Sequence, residues 1–438
     1  MDWRDRRLHF VGIGGAGMSG LALVAHALGA EVTGSDRSAG SPTAARLRAA
    51  GIEPAAGHAA ANVPAGAELV VSTAIAADNP ERVRARELGL RELHRAELLG
   101  ELTRLRRTIA VAGTHGKTTT SSMIVHALRG AGLDPSYLVG GEVRSTGTNA
   151  AWGTGEWLVV EADESDRSLL RLSPAIAVLT NAELDHQDVY ASRRDVESTF
   201  AAFLALADQA VVWARPELLA LAGDRPVAAF DVPAPVLRPG GSSFVLDGVP
   251  VELAVPGAHN ALNAAAALTA SRLAGADPRA AAAALAGFEG AGRRFERLGS
   301  TPAGAAVVDD YAHHPTEVRA TLLAARTLEP RRVIAVFQPH LFSRTARHAR
   351  EFGAALALAD AVVVLDVYAA RERAEDHPGV SGLLVAEAVA DAAGGKPVAW
   401  LPGFDAAEAH LRATLREGDL CLTLGAGDVD ALGHRLLA

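Results

Sequence analysis

The chain has 438 residues, room for about three domains at roughly 150 residues each, and its 49% hydrophobic and 21% charged content is that of a globular protein. A net charge of −9 excludes general attraction to nucleic acid or to anionic lipid, so any polyanionic ligand needs a local site. A single cysteine, Cys421, excludes an intrachain disulfide. No run is apolar and long enough to span a membrane and no secretory segment opens the sequence, so a cytoplasmic protein is expected, with monomer and homodimer both open. Lys117 and Lys396 are the only lysines among 42 basic side chains, so a lysine at a motif position invites a chemical reason.

In chain order, a strand over His9–Ile13, a helix over Met18–Leu28, strands at Glu31–Gly34 and Leu69–Ser72 and a helix over Pro80–Leu88 give the alternation of a parallel sheet. A polar segment, 103–108, leads into a new strand, Ile109–Ala112, followed by a helix over Thr118–Leu128, strands at Trp157–Glu161 and Ala175–Leu179 and an alanine-rich helix over Asn260–Leu273. The character changes around Gly292–Leu298, after which Ala305–Val308, Val333–Phe337 and Ala361–Leu365 restart the alternation. The reading is a three-domain α/β chain with boundaries at 1–107, 108–298 and 299–438.

Two glycine-rich turns carry phosphate chemistry. Gly12-Ile13-Gly14-Gly15-Ala16-Gly17 fits G-x-G-x-x-G after a strand, with Asp36 after the second strand where a Rossmann fold places its ribose acid. Alone it admits NAD, a UDP-sugar or a tight turn without ligand. Gly113-Thr114-His115-Gly116-Lys117-Thr118-Thr119 also lies between strand and helix, and its Lys-Thr pair suits phosphate oxygens and Mg²⁺. Val111 stands where the first glycine of a Walker A loop would be. The strand Trp157–Glu161 ends in the acidic run Glu161-Ala162-Asp163-Glu164-Ser165-Asp166, and Ala175–Leu179 leads to Asp185-His186, both at the sheet edge where metal ligands are needed.

Together with Gly257-Ala258-His259-Asn260-Ala261-Leu262-Asn263, Gly292-Arg293-Arg294-Phe295 and Asp309-Asp310-Tyr311-Ala312-His313-His314-Pro315, these motifs occur in the order seen in the Mur ligases, which the chain resembles over its whole length. The resemblance implies an N-terminal Rossmann-like UDP-binding domain, a central P-loop ATPase-like domain and a C-terminal Rossmann-like domain. Its implied activity is ATP-dependent ligation of L-alanine to the lactyl carboxylate of UDP-N-acetylmuramate through an acyl phosphate, with Mg²⁺, in peptidoglycan precursor synthesis. It implies Lys117, Glu161, His186 and Arg294 as catalytic. It implies Gly113, Thr114, His115, Gly116, Lys117, Thr118, Thr119, Asn260, Asn263, Arg294 and Asp310 for ATP, and Thr118, Glu161 and His186 for the metal. Gly12, Gly14, Gly15, Gly17, Met18, Ser19, Asp36 and Ser72 are implied for the UDP-sugar, and Tyr311, His313, His340 and Arg344 for the amino acid. Leu341 stands where the family's Gln-Pro-His-Arg pattern has an arginine. No lysine occurs between Thr118 and Gly395, so the carbamylated lysine of several Mur ligases has no counterpart in the central domain. The competing readings are an NAD-dependent dehydrogenase, a ligase that takes a whole tripeptide as acceptor and a regulator without activity.

Overall fold

The structure, a computed structural model, describes residues 2–37, 40–186 and 189–438. Its first five strands are β1 (Arg7–Val11), β2 (Glu31–Asp36), β3 (Ala55–Ala56), β4 (Glu68–Val71) and β5 (Glu92–His94), paired parallel in the order β3-β2-β1-β4-β5. Leu8, Phe10, Val11, Leu69 and Val70 are buried, as in a parallel sheet covered on both faces. The order reverses at β1, so a crevice opens beyond its carboxyl end, where the first glycine turn begins.

The next seven are β6 (Arg107–Ala112), β7 (Ser136–Val143), β8 (Thr148–Ala151), β9 (Trp157–Glu161), β10 (Ile176–Leu179), β11 (Gln209–Trp213) and β12 (Val227–Phe230), in the order β12-β11-β10-β6-β9-β7-β8. Only β8 runs antiparallel to its neighbour. β6 is central, and its register sets Val111 beside Glu161 and Ala112 beside Leu179. That pairing delivers the second glycine turn, the acidic run and the Thr180–His186 segment to one sheet edge.

A three-stranded sheet, β13 (Val236–Arg238), β14 (Gly241–Leu246) and β15 (Val249–Leu253), precedes the helix Ala258–Leu273. The last sheet has the order β16-β17-β21-β18-β19-β20, from β16 (Glu296–Ser300), β17 (Ala306–Asp310), β18 (Arg332–Phe337), β19 (Ala361–Val364), β20 (Val398–Trp400) and β21 (Asp419–Leu424). It is parallel apart from β16. The three parallel sheets match the α/β reading. The chain nevertheless divides into two compact units: Met1–Pro233 with Leu246–Val251 and Leu262–Phe288, and Ala234–Val245 with Glu252–Ala261 and Glu289–Ala438. The first unit holds the first two parallel sheets around one continuous core that runs from Leu8 and Phe10 through Leu138 and Ala150 to Phe200. The division read at 298/299 falls inside β16, whose antiparallel pairing with β17 commits the segment to the last sheet. Among the described residues no helix is long and apolar enough to cross a membrane.

Candidate active site

The second glycine turn joins β6 to the helix Lys117–Gly130. Gly116 caps that helix at φ 81°, and Gly113, at φ 136°, lies so close to Thr180 that an added Cβ would stand 2.0 Å from its hydroxyl. Only glycine fits both positions. The turn is fastened from the neighbouring strand: Thr180 Oγ1 and Asn181 Nδ2 donate to the His115 carbonyl at 2.6 and 2.9 Å, and the His115 N–H donates to Asn181 Oδ1 at 2.9 Å. Thr114 Oγ1 donates to the Glu183 carbonyl at 3.0 Å. Thr119 is buried behind the turn, and the Asn263 side chain lies against Gly116, 2.7 Å from the place of a Cβ.

Lys117 folds back over the turn, donating to the carbonyls of Gly113 (2.6 Å) and Thr114 (3.2 Å) and to Glu164 Oε1 (3.0 Å). Burial opposes its charge, but Glu164 and Asp163 outweigh burial and hold its pKa above the usual lysine value. Burial pushes the Glu164 carboxyl up, with Lys117 pulling against it. For Asp163 burial is outweighed by Lys117 and Arg95, which hold the carboxyl at about 2. Thr118 Oγ1 donates to Glu161 Oε2 at 3.2 Å, and the Gly140 N–H donates to Glu161 Oε1. A hydroxyl and a carboxylate so placed are the oxygen donors Mg²⁺ prefers, and His186, at φ 50°, brings its Nε2 to 3.6 Å from Glu164 Oε1 of the same acidic run and 3.8 Å from Asp185 Oδ2. The donor set therefore fits Mg²⁺. Glu164, which reaches both Lys117 and His186, stands in the acidic run of the sequence reading but was given no role of its own there.

At the first glycine turn, the Gly14 N–H donates to Asp36 Oδ2 at 2.8 Å. Asp36 thus braces the turn. Met18 is part of the core, and Ser19 donates within its own helix through both its hydroxyl, to the Ala16 carbonyl at 3.1 Å, and its N–H, to the Gly15 carbonyl at 2.8 Å. Ser72 follows β4 at the same sheet edge.

In the second unit Asp310 accepts from the N–H groups of Phe295 and Ala312, both at 2.8 Å, and burial raises it to about 6 against the pull of Arg294. Arg294 lies over the Tyr311 ring and 3.8 Å from Glu317. Its neighbour Arg293 is the structural arginine, bound to Asp309 Oδ2 and to the Gly425 and Gly427 carbonyls. Asn260 Nδ2 donates to the Pro256 carbonyl at 2.8 Å. His340 stacks on Tyr368 with ring centres 5.8 Å apart, lies 6.0 Å from the His313 ring and has Nδ1 3.3 Å from Arg344 Nη1. Leu341, at φ 69°, begins the turn before the helix Phe342–Leu356 that carries Arg344. Tyr368 was invisible to motif reading, because it enters by pairing its backbone with Pro339 and Leu341 across some 30 residues.

Comparison with known proteins decides the family. Residues 7–107 match the model "Mur ligase family, catalytic domain", 111–232 the "Mur ligase middle domain" and 293–427 the "Mur ligase, glutamate ligase domain". The chain belongs to the Mur ligase family. Among Mur ligases, it is 50% identical to the UDP-N-acetylmuramate–L-alanine ligase of Kineococcus radiotolerans, over 98% of this chain and 95% of that one. It is 46% identical to the enzyme of the same name from Rubrobacter xylanophilus, over 99% of both. The solved UDP-N-acetylmuramate-alanine ligase of Thermotoga maritima superposes with a TM-score of 0.84 at 30% identity, over 98% of both chains. A murein peptide ligase from Psychrobacter arcticus gives 0.73 at 25% identity, over 99% of this chain and 98% of that one. Membership of the Mur ligases sets aside the dehydrogenase reading of the first glycine turn.

Proposed function

We propose that this chain joins L-alanine to the lactyl carboxylate of UDP-N-acetylmuramate at the expense of ATP, through an acyl phosphate, in peptidoglycan precursor synthesis. The observation that carries the reading is the convergence of Lys117, Thr118, Glu161 and Glu164 at the edge of β6 and β9, and the names of the relatives supply the substrates.

A carboxylate resists attack by an amine, so it must first be activated. The lactyl oxygen attacks the γ-phosphorus of ATP, the bond to the bridging oxygen breaks and ADP leaves; the neutral amine of L-alanine then attacks the acyl carbon, forming C–N and releasing phosphate and a proton. Two anions meet in the first step, so positive charge fixed in advance matters most. Lys117 and the amides at the start of the helix Lys117–Gly130 bind the phosphates. Thr118, Glu161 and His186 would hold Mg²⁺, which when bound screens the charge between ATP and the acceptor. Asn260 and Asn263 contact adenine, Asp310 the ribose and Arg294 the γ-phosphate. The first glycine turn, with Asp36 and Ser72 beside it, takes the UDP moiety. Tyr311, His313, His340 and Arg344 form the amino-acid site, where an arginine–carboxylate contact fixes the nucleophile.

Phosphate release measured with each component left out in turn tests this reading. Release should need UDP-N-acetylmuramate, ATP, Mg²⁺ and L-alanine together, and a tripeptide in place of L-alanine should support little of it. Turnover with the tripeptide and none with L-alanine would overturn the choice of acceptor.

A further inference from the structure

We propose that Arg95 is a binding residue for the diphosphate of the UDP-sugar, held in position by Asp163 and Asp166 of the acidic run. The inference rests on the reading that the first glycine turn takes that ligand. Arg95 opens the helix Arg95–Thr103 directly after β5, and the registers Phe10 beside Val70 and Val71 beside His94 bring it to the carboxyl edge from which the turn after β1 departs. Its Nη2 donates to Asp163 Oδ2 at 3.1 Å and to Asp166 Oδ2 at 2.9 Å. Its Nη1 lies 3.4 Å from where a Cβ on Gly17 would stand, and among the described residues it donates to no partner. The two carboxylates thus use one nitrogen of the guanidinium and leave the other beside the glycine turn.

The surroundings there are those of an anion site. The helix Ala16–Ala27 begins at Gly15 with no side-chain cap and no acidic residue in its first turn, so its leading amides remain available. A brace between the first and second sheets of the unit accounts for the bonds from Nη2 but not for Nη1 at Gly17. Arginine also suits a diphosphate better than lysine, because its planar fork can serve two acceptors on different sides. The carboxylates act at one remove: they fix the guanidinium and touch no ligand themselves.

Titration calorimetry on the full chain with UDP and with uridine, which lacks the diphosphate, tests the assignment. Wild-type protein should bind UDP more tightly than uridine. In Arg95→Ala the UDP affinity should fall by about tenfold or more while that for uridine stays within about twofold, the loss of a charge-assisted contact. Arg95→Lys should recover part of the difference, and Asp166→Asn should weaken UDP without changing ADP. Equal losses for UDP and uridine in Arg95→Ala would make Arg95 a structural brace and overturn the proposal. If Arg95→Ala does not fold, an unchanged UDP-to-uridine ratio in both Arg95→Lys and Asp166→Asn overturns it equally. Wild-type protein that binds neither compound would remove the UDP-sugar reading itself, and with it the role of Arg95.

Discussion

Lys117 and Glu164 form a buried pair whose members depend on one another. Lys117→Ala should reduce phosphate release by about a thousandfold or more, since phosphoryl transfer loses most when a preorganised charge is removed. It should also lower the melting temperature, because Glu164 is then left buried without its cation. Adding Glu164→Gln should restore the melting temperature and none of the activity; recovered activity would contradict the phosphate role of Lys117. Arg344→Ala should raise KM for L-alanine by the equivalent of about 2–5 kcal/mol and leave KM for ATP and the UDP-sugar close to wild type, and equal effects on all three would point to a folding role for this buried residue. Lys117 could be read from the sequence because only two lysines exist and one follows a strand and a glycine turn. Glu164 could not, because the acidic run offers four carboxylates within six residues and spacing does not say which turns inward. Between the adjacent arginines the resemblance singles out Arg294, and the fold adds a physical difference: Arg293 is tied to Asp309 at 2.9 Å, whereas Arg294 lies 3.8 Å from Glu317.

At the scale of elements, the helix Pro80–Glu87 is tied to β2 and to the segment around Ala60 through one carboxylate. Glu81 is fully buried, accepts from Ser35 Oγ at 2.6 Å, Asn62 Nδ2 at 2.7 Å and the Ala59 N–H at 3.2 Å, and lies 3.5 Å from His9 Nε2. Burial opposes its charge, but His9, Ser35, Asn62 and the Ala59 N–H outweigh burial and hold the pKa at about 2 against a usual 4.5. A lowered carboxylate stabilises the fold above its unfolded pKa and loses that contribution as pH falls from there toward its folded value. Glu81→Gln should therefore shift the urea midpoint downward at pH 7, by a loss of up to about 3 kcal/mol, and the gap from wild type should narrow as pH drops below 4.5. A gap that stays constant with pH would mean that lost packing, not charge, causes it. Parallel strands and their helices were legible because strand, turn and helix follow one another locally; β1, β6, β9, β10 and β18 fall within two residues of their expected ends. The hairpin β7–β8 and the strand β16 were not foreseen. In both, the antiparallel partner lies only a short turn away, but the segments Ser136–Val143 and Glu296–Ser300 contain Gly and charged residues that blur an alternating pattern.

For the whole molecule, the absence of any lysine from Thr118 to Gly395 excludes a carbamylated side chain from the central part of the chain. Lys396 is occupied by the carbonyls of Ala357 and Ala359 in the second unit. Activity in bicarbonate-free buffer should therefore equal activity in bicarbonate-supplemented buffer at the same pH, and a reproducible loss rescued by bicarbonate would contradict this. The route through an acyl phosphate leads to one chemical requirement: an oxygen of the lactyl carboxylate must leave on the released phosphate. The most direct measurement supplies UDP-N-acetylmuramate labelled with ¹⁸O in that carboxylate, together with ATP, Mg²⁺ and L-alanine, and analyses both products by mass spectrometry. The account predicts one ¹⁸O atom in each phosphate released and one retained in the new amide. Unlabelled phosphate, with both labelled atoms still in the carboxylate and no amide formed, would contradict it.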